Sequence, residues 1–412
     1  MSNNDLIVGL DIGTTKVCCV VSEIGDNNQI IVSGVGVCKS AGLKGGVVVD
    51  IDSTVHAIEE AVQLAARQSG REVGAVYVGV TGEHISSLNA RGVTAITHAD
   101  HEIDFYDIER VLEHARVIVL PPDRMILHAI PRSYSIDGQE GIRSPAGMSG
   151  SRLEVETHIV NGLRTFIENV QKCVNRAGLN VQEMVFEPIA TAEAVLDDTE
   201  RSQGVVIVDI GGGTTDIAIF QGGAVCYSAV IPVGGNHVTN DLATLLKVTS
   251  EEAERIKIEH SQCSKSGIED SEVISVKQIG KTDMRLLKKR VVCEIVEARM
   301  EELFFLVQKH IKKSGCDGVL SSGIVLSGGG SLIRGAQECA NKVLLMPVRI
   351  GSPKGISGLS SEVDGPAYST AVGLIQFGLK EITDNHNHEV TGNPFQSISK
   401  SVKNWFKGFS AN

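Results

Sequence analysis

Nowhere in this chain do about 18 apolar residues run together, so no segment reads as a membrane-spanning helix. The opening residues, MSNNDLIVGLDIG, carry no basic stretch ahead of a long apolar core, so no secretory signal is expected. Aromatic side chains are scarce, at 4 % with a single Trp. Positive charge is in deficit: 38 Lys and Arg stand against 50 Asp and Glu, a net charge of −12. That balance argues against generic nucleic-acid binding by the whole body. The nine cysteines (18, 19, 38, 173, 226, 263, 293, 316 and 339) show neither CxxC nor Cys/His ligand spacing. They are expected to be reduced and buried like small apolar residues, which fits a reducing cytoplasm.

What the chain does have is glycine, 44 residues of it, much of it set between apolar runs. At 412 residues it can bury two or more sizeable cores. Two stretches follow one plan. LIVGLDIGTTKVCCVV and GVVIVDIGGGTTDIAIF each read as an apolar strand, Asp-x-Gly, a Gly/Thr turn and a second apolar strand. A carboxylate ending a buried strand needs a partner, often a cation or a metal. Glycines let backbone N–H groups approach a ligand and form an anion nest. Thr hydroxyls and Lys16 add donors for phosphate oxygens. One copy reads equally as a tight hairpin. Two copies in facing, duplicated α/β lobes would close like jaws on one polyphosphate, with Asp11 and Asp209 flanking a Mg²⁺ held partly through water.

Three weaker signals join these. Gly328–Ser331, in LSGGGSLIRG, is a third glycine-rich turn between a strand and a helix, where a helix N-terminus favours anionic groups. Gly234, Gly235 and Asn236 stand before another helix. Glu254 and Lys257 share a helix face at i, i+3, either as a surface ion pair or as contacts to a ribose or purine.

Along the chain, Gly92–Asn161 reads as a small α+β insert with a helix at Asp107–Val117. Ser261–Asp283 is polar, and a long helix is expected from Leu287. From Lys380 the sequence turns polar and reads as a linker. The final run has a different pattern. At about 100° per residue, Phe395, Ile398, Val402, Trp405, Phe406 and Phe409 fall within one arc, with Lys400, Lys403 and Lys407 opposite. No acidic residue occurs from Asn393 to Asn412, so this helix suits an anionic membrane surface.

Taken together, DIGTTK, VDIGGGTTD, VLSGGGSLIRG, FEPIATAEAV and AYSTAVG resemble the actin/Hsp70/sugar-kinase ATPase superfamily. Within it, nearly the whole chain resembles the FtsA family of bacterial cell-division proteins, insert and C-terminal run included. The resemblance implies an actin-like two-lobed α/β ATPase fold with duplicated RNase H-like lobes. It places a first lobe (1A) at 1–83 and 163–203, an α+β insert subdomain (1C) in place of actin's 1B at 84–162, and a second lobe (2A/2B) at 204–360. A closing helix at 361–380, a flexible linker at 381–393 and an amphipathic membrane-targeting helix at 394–412 complete the division.

The same resemblance implies roles for residues. Asp11, Gly13, Thr14, Thr15 and Lys16 match the first phosphate loop. Asp209, Gly211, Gly212, Gly213, Thr214 and Thr215 match the second. Gly328, Gly329, Gly330 and Ser331 match the adenosine motif, Glu254 and Lys257 the adenine-side pair. Glu187 matches the acid that orients water in relatives that hydrolyse ATP. The implied cofactors are ATP and Mg²⁺, with hydrolysis slow or absent. The implied partners are the C-terminal peptide of the tubulin-like protein FtsZ, further copies in filaments, later division proteins through the insert, and an anionic membrane. The peptide is expected around Ser261–Arg299, at Lys281, Arg285, Lys288, Lys289 and Arg290. The implied location is the cytoplasmic face of the inner membrane at the division site. The alternatives are an actin-like pilus-assembly or scaffold ATPase and a small-molecule kinase, for which no clear sugar-side base stands out.

Overall fold

The computed structural model describes residues 6–280 and 284–390. The first apolar runs form β1 (Leu6–Ile12), β2 (Lys16–Ile24) and β3 (Ile30–Lys39). A short hairpin, β4 (Leu43–Lys44) and β5 (Val47–Val48), leads to α1 (Ile51–Ser69) and β6 (Ala75–Val80). The Asp50 side chain caps α1 by accepting from the Ser53 N–H, and Gly70 ends it at φ 65°. Ala57, Ile58, Ala61 and Ala65 of α1 are buried at helical spacing and belong to the same core as β1 and β2.

The insert follows: β7 (Ser86–Ala95), α2 (Phe105–Arg116), β8 (Arg124–Ile136), β9 (Gln139–Ile142) and β10 (Arg152–Leu163). Its antiparallel sheet, in the order β7-β10-β8-β9, shares a separate core with α2 that includes Ile108, Val111, Leu153 and Val155. α2 begins at Phe105 rather than at Asp107, because Asp104 and Asp107 form a reciprocal capping box.

The chain re-enters the first lobe through α3 (Arg164–Arg176), β11 (Asn180–Phe186) and α4 (Glu187–Val195). After α5 (Asp198–Gln203) the second lobe begins with β12 (Val205–Ile210), β13 (Thr215–Gln221) and β14 (Ala224–Ile231). It continues through α6 (Gly235–Leu246), α7 (Ser250–His260), β15 (Val273–Lys277), β16 (Met284–Lys288) and α8 (Lys289–Ser314). β17 (Ile324–Ser327), α9 (Ala336–Leu344) and β18 (Val348–Ile350) finish that lobe. β19 (Ile356–Gly358) and α10 (Ser369–Val390) return to the first.

The two large sheets repeat one topology. In the first, β1, β2 and β3 run antiparallel and β6 lies parallel beside β1, in the order β11-β6-β1-β2-β3-β19. In the second, β12, β13 and β14 run antiparallel and β17 lies parallel beside β12, in the order β14-β13-β12-β17-β18. α4 and α10 lie between them. Ala190 and Ala194 of α4 share one core with Ala371, Leu374 and Ile375 of α10, Val20 of the first sheet, and Ile207 and Val325 of the second. The two helices approach closely at Gly373, where a Cβ would stand 1.8 Å from the Ala190 carbonyl oxygen. This packing puts both helix N-termini beside the turns that end β1 and β12.

Several boundaries differ from the sequence reading. The polar stretch before the long helix contains a strand, because Ile274 and Val276 alternate into the core while Val273, Ser275 and Lys277 face out. Its partner β16 takes up Leu287 and Lys288, so α8 starts at Lys289. The chain pairs with β3 already at Ile356, ahead of residue 361. α10 runs through the expected linker as far as Val390, since no Gly or Pro interrupts it between Gly378 and Gly392. All nine cysteines are buried and unpaired by disulfides. Among the described residues no helix is long and apolar enough to cross a membrane.

Candidate functional site

The turns after β1 and β12 close with the same bond. The Gly13 N–H donates to the Lys16 carbonyl at 3.0 Å, and the Gly211 N–H donates to the Thr214 carbonyl at 2.9 Å. The turns stand face to face across the lobes. A Cβ on Gly212 would lie 2.0 Å from Thr15 Oγ1, and one on Gly213 would lie 2.7 Å from Thr14 Oγ1. The middle positions of one turn therefore meet the middle positions of the other, in crossed order.

Behind the turns are four buried carboxylates: Asp11 at 8 % exposure, Asp209 at 5 %, Asp216 at 2 % and Glu187 at 8 %. Asp11 and Asp209 end their strands. Asp209 Oδ2 accepts from Thr191 Oγ1 of α4 at 2.6 Å and from Thr370 Oγ1 of α10 at 3.1 Å. Asp216 lies opposite Asp209 in the β12–β13 register and accepts from Thr214 Oγ1 at 3.2 Å and from Thr81 Oγ1 of the first lobe. Glu187 opens α4 ahead of Pro188, and its Cγ would lie 3.2 Å from a Cβ on Gly79.

Burial drives the electrostatics of this cluster. It pushes Asp11 up to about 6, with Lys16 opposing and Asp209 adding to the rise. It raises Asp209 against the Thr191 and Thr370 hydroxyls and the charge of Lys16. It raises Asp216 to about 8, opposed by the Thr81 hydroxyl and reinforced by Asp209. Glu187 is held well above the usual carboxylate range by burial and then by Asp11, Asp216 and Asp209. Four acids sharing one desolvated space bind protons or call for a cation. Hard oxygen donors of this kind fit Mg²⁺. Glycine turns whose backbone N–H groups stand beside the Thr14, Thr15 and Lys16 donors suit an anion such as a phosphate chain.

The remaining expected residues buttress the second turn. The Gly235 and Asn236 N–H groups at the start of α6 donate to the Gly211 and Gly212 carbonyls at 2.9 and 2.8 Å. A Cβ on Gly234 would lie 2.6 Å from the Gly211 carbonyl oxygen. Lys257 Nζ pairs with Glu254 Oε2 at 2.7 Å and donates to the Gly235 carbonyl at 3.2 Å and to Thr239 Oγ1 at 2.9 Å. Thr215 Oγ1 donates to the Val233 carbonyl at 2.7 Å. Gly328 has φ 77° and packs against Asp209, whose Oδ1 would be 2.3 Å from a Cβ there. The Gly329–Gly330–Ser331 turn is a short 3₁₀ helix rather than the start of an α-helix, and α9 begins only at Ala336.

Asp216, Thr81, Thr191 and Thr370 went unnamed in the sequence reading. Asp216 closes the DIGGGTTD stretch and was open to detection from the hairpin register. Thr191 and Thr370 lie inside FEPIATAEAV and AYSTAVG, which carry the family resemblance, but no local spacing links them to Asp209, or Thr81 to Asp216. The basic cluster before α8 is less free than its composition implies. Lys289 pairs with Glu272 at 2.9 Å, and Arg290 with Asp270 at 3.1 Å and Glu294 at 3.6 Å. Arg285 and Lys288 are exposed on β16. Met284, Leu286 and Lys288 share the outer face of the hairpin with Val273 and Lys277, beside a groove of about 650 Å³. Lys281 and the tail residues Phe395, Ile398, Lys400, Val402, Lys403, Trp405, Phe406, Lys407 and Phe409 lie outside the described residues.

Comparison with known proteins agrees with this architecture. A family profile described as cell division protein FtsA matches residues 206–373, and one described as the SHS2 domain inserted in FtsA matches residues 82–161. An Hsp70 profile matches residues 168–227. Cell division protein FtsA of Pseudomonas aeruginosa is 42 % identical, covering 99 % of both chains. That of Escherichia coli K12 is 36 % identical over 98 % of this chain and 97 % of its own. Among solved structures, a PilM–PilN type IV pilus biogenesis complex matches with a TM-score of 0.66 at 15 % identity, covering 90 % of this chain and 98 % of that one. MreB5 of Spiroplasma citri bound to ADP matches with a TM-score of 0.58 at 16 % identity, covering 94 % and 99 %. These structural likenesses carry the actin-like fold.

Proposed function

The chain belongs to the FtsA family of cell division proteins, and from that premise we propose that it is an ATP-binding, self-associating adaptor that tethers FtsZ filaments to the inner membrane. The paired turns over four buried carboxylates are the observation that carries the nucleotide. Asp11 and Asp209 would hold Mg²⁺, the two turns would bind the phosphates, and Gly328–Ser331 with the Glu254–Lys257 pair would meet the adenosine. The bound metal would neutralise the buried carboxylates and the phosphate charge together. Glu187 is assigned the role of orienting a water. Little beyond Glu187 is present to activate that water, so turnover is expected to be slow.

The partner surfaces rest on the family and on two local features. The FtsZ peptide is assigned to the β15–β16 hairpin and the start of α8, where Lys277 and Lys288 flank exposed Val273, Met284 and Leu286 on one face, and Arg285 lies on the other. Lys288→Glu with Lys289→Glu should abolish binding of an acidic FtsZ C-terminal peptide in fluorescence anisotropy and leave ATP binding intact. Unchanged peptide affinity would move the dock elsewhere. The insert, with its separate core, is assigned to contacts with neighbouring copies or later division proteins.

The tail is assigned to the membrane. Three lysines near an anionic leaflet add roughly 1 kcal/mol each, so one copy binds moderately and a polymer gains avidity. ATP would then act mechanically, by favouring the polymer that holds the membrane. The test of the whole reading is liposome flotation with ATP and Mg²⁺. The parent protein should float with anionic vesicles, and Trp405→Glu should stay at the bottom of the gradient. Equal flotation of both would remove the tail as anchor.

A further inference from the structure

Lys16 closes the first turn, yet its ammonium is turned toward the start of α10. Nζ donates to the Ala367 carbonyl at 2.6 Å and stands 3.7 Å from the centre of the Tyr368 ring. Lys16 makes no ion pair among the described residues, although Asp11 and Asp209 both feel its charge. An ammonium has three donors on one flexible stem, so a carbonyl and a ring face together form a defined seat for it.

The segment that provides this seat also reaches the third glycine turn and Asp209. The Pro366 carbonyl accepts from the Gly328 N–H at 3.0 Å and from Ser327 Oγ at 3.3 Å. Ser369 Oγ accepts from Ser327 Oγ at 2.8 Å. Thr370 Oγ1 donates to Asp209 at 3.1 Å. A Cβ on Gly329 would lie 4.0 Å from the Ala367 Cβ. Five consecutive residues thus join the first turn, the third glycine turn and Asp209, and they lead directly into α10, whose far end precedes the tail.

We propose that Lys16 has two seats, the phosphate chain and the Ala367 carbonyl with the Tyr368 ring, and that exchange between them reports the nucleotide's phosphates to α10. The inference rests on the reading of the cleft as a nucleotide site. A phosphate oxygen makes a charge-assisted bond that a neutral carbonyl and a ring cannot match. Binding therefore draws Lys16 off Tyr368 and releases the Ala367–Tyr368 segment that leads into α10. Tyr368 acts as a positioning residue, one that holds the lysine in reserve and makes affinity depend on phosphate rather than on the nucleoside.

Three proteins, compared by calorimetry with ATP·Mg²⁺ and with adenosine, test this. Tyr368→Leu removes the ring, so it should bind ATP about 2- to 10-fold more tightly than the parent and bind adenosine equally. Tyr368→Phe keeps a ring face and should return ATP affinity to the parental value. Hydrogen exchange on the parent protein provides a readout that needs no variant: ATP should change exchange at residues 366–372, and adenosine should not. Unchanged or weaker ATP binding by Tyr368→Leu, equal tightening toward adenosine, or equal exchange changes with both ligands would overturn the two-seat mechanism. A parent protein that binds no ATP at all would overturn the nucleotide reading itself.

Discussion

The two hairpin turns share a backbone and differ in nearly everything attached to it. Thr14, Thr15 and Lys16 fill the first turn, whereas Gly212 and Gly213 leave the second bare. Because the turns face each other, bulk on one side requires its absence on the other. Thr15 occupies the space a Gly212 side chain would need, and Thr14 the space of Gly213. The carboxylates diverge too. Asp209 is held by two hydroxyls from helices between the lobes, while Asp11 is steadied mainly by the charge of Lys16. Duplication of the hairpin has given complementary halves. One supplies side-chain donors and a cation, and the other supplies clearance and a more firmly held carboxylate.

The sharpest way to break this complementarity is to make the halves alike. Gly212→Ala should weaken ATP binding about 10- to 100-fold in an equilibrium titration, since overpacking costs roughly 1–3 kcal/mol. Adding Thr15→Ala should recover most of the loss, because the oxygen 2.0 Å from the new Cβ is gone and the nearest remaining Thr15 atom is 3.2 Å away. Simple additivity of the two changes would mean that the turns do not meet in the working protein.

Next in size is the carboxylate itself. Asp209→Ala should weaken ATP·Mg²⁺ binding by about tenfold or more, about 1.4 kcal/mol. It also removes the shared acceptor of the Thr191 and Thr370 hydroxyls, leaving them only each other at 3.0 Å. An unaltered titration curve would count against the two-jaw arrangement.

The smallest effect distinguishes the lobes by proton linkage. Asp216 has no equivalent in the first hairpin, where Cys18 pairs with Asp11. Burial lifts Asp216 from 3.8 to about 8. Between those values the native state keeps a proton that the unfolded chain has released, so stability falls as pH rises through that window. The melting temperature of metal-free protein should drop by roughly 2–4 °C between about pH 5 and about pH 8, and Asp216→Asn should flatten the slope. A slope that survives the substitution would assign the linkage to another group of the cluster.

Much of this was open to sequence reading because its signals are local. Strand–turn–strand patterning needs only neighbouring residues, so both hairpins, the insert and most helices were legible. Asp216 was legible in principle, since a hairpin that starts with a buried Asp and ends with another places them opposite each other. The β15–β16 hairpin was hidden by its half-exposed strands, whose outward residues make the stretch look like a polar loop. The extent of α10 was hidden because polar residues without Gly or Pro read equally as linker or as helix.

The sequence by itself determined that there are two like lobes, a separate insert, and carboxylates at the ends of buried strands. Hydrophobic period and turn chemistry act over a few residues and leave little choice. Only the tertiary structure decided what those carboxylates touch. Packing α4 and α10 between the sheets brought Thr191 and Thr370 to Asp209, closing the lobes brought Thr81 to Asp216, and the return of the chain brought Tyr368 to Lys16. Contacts between residues separated by 135 and by more than 300 positions leave no trace in local periodicity, because chain connectivity places no constraint on them until the core has formed.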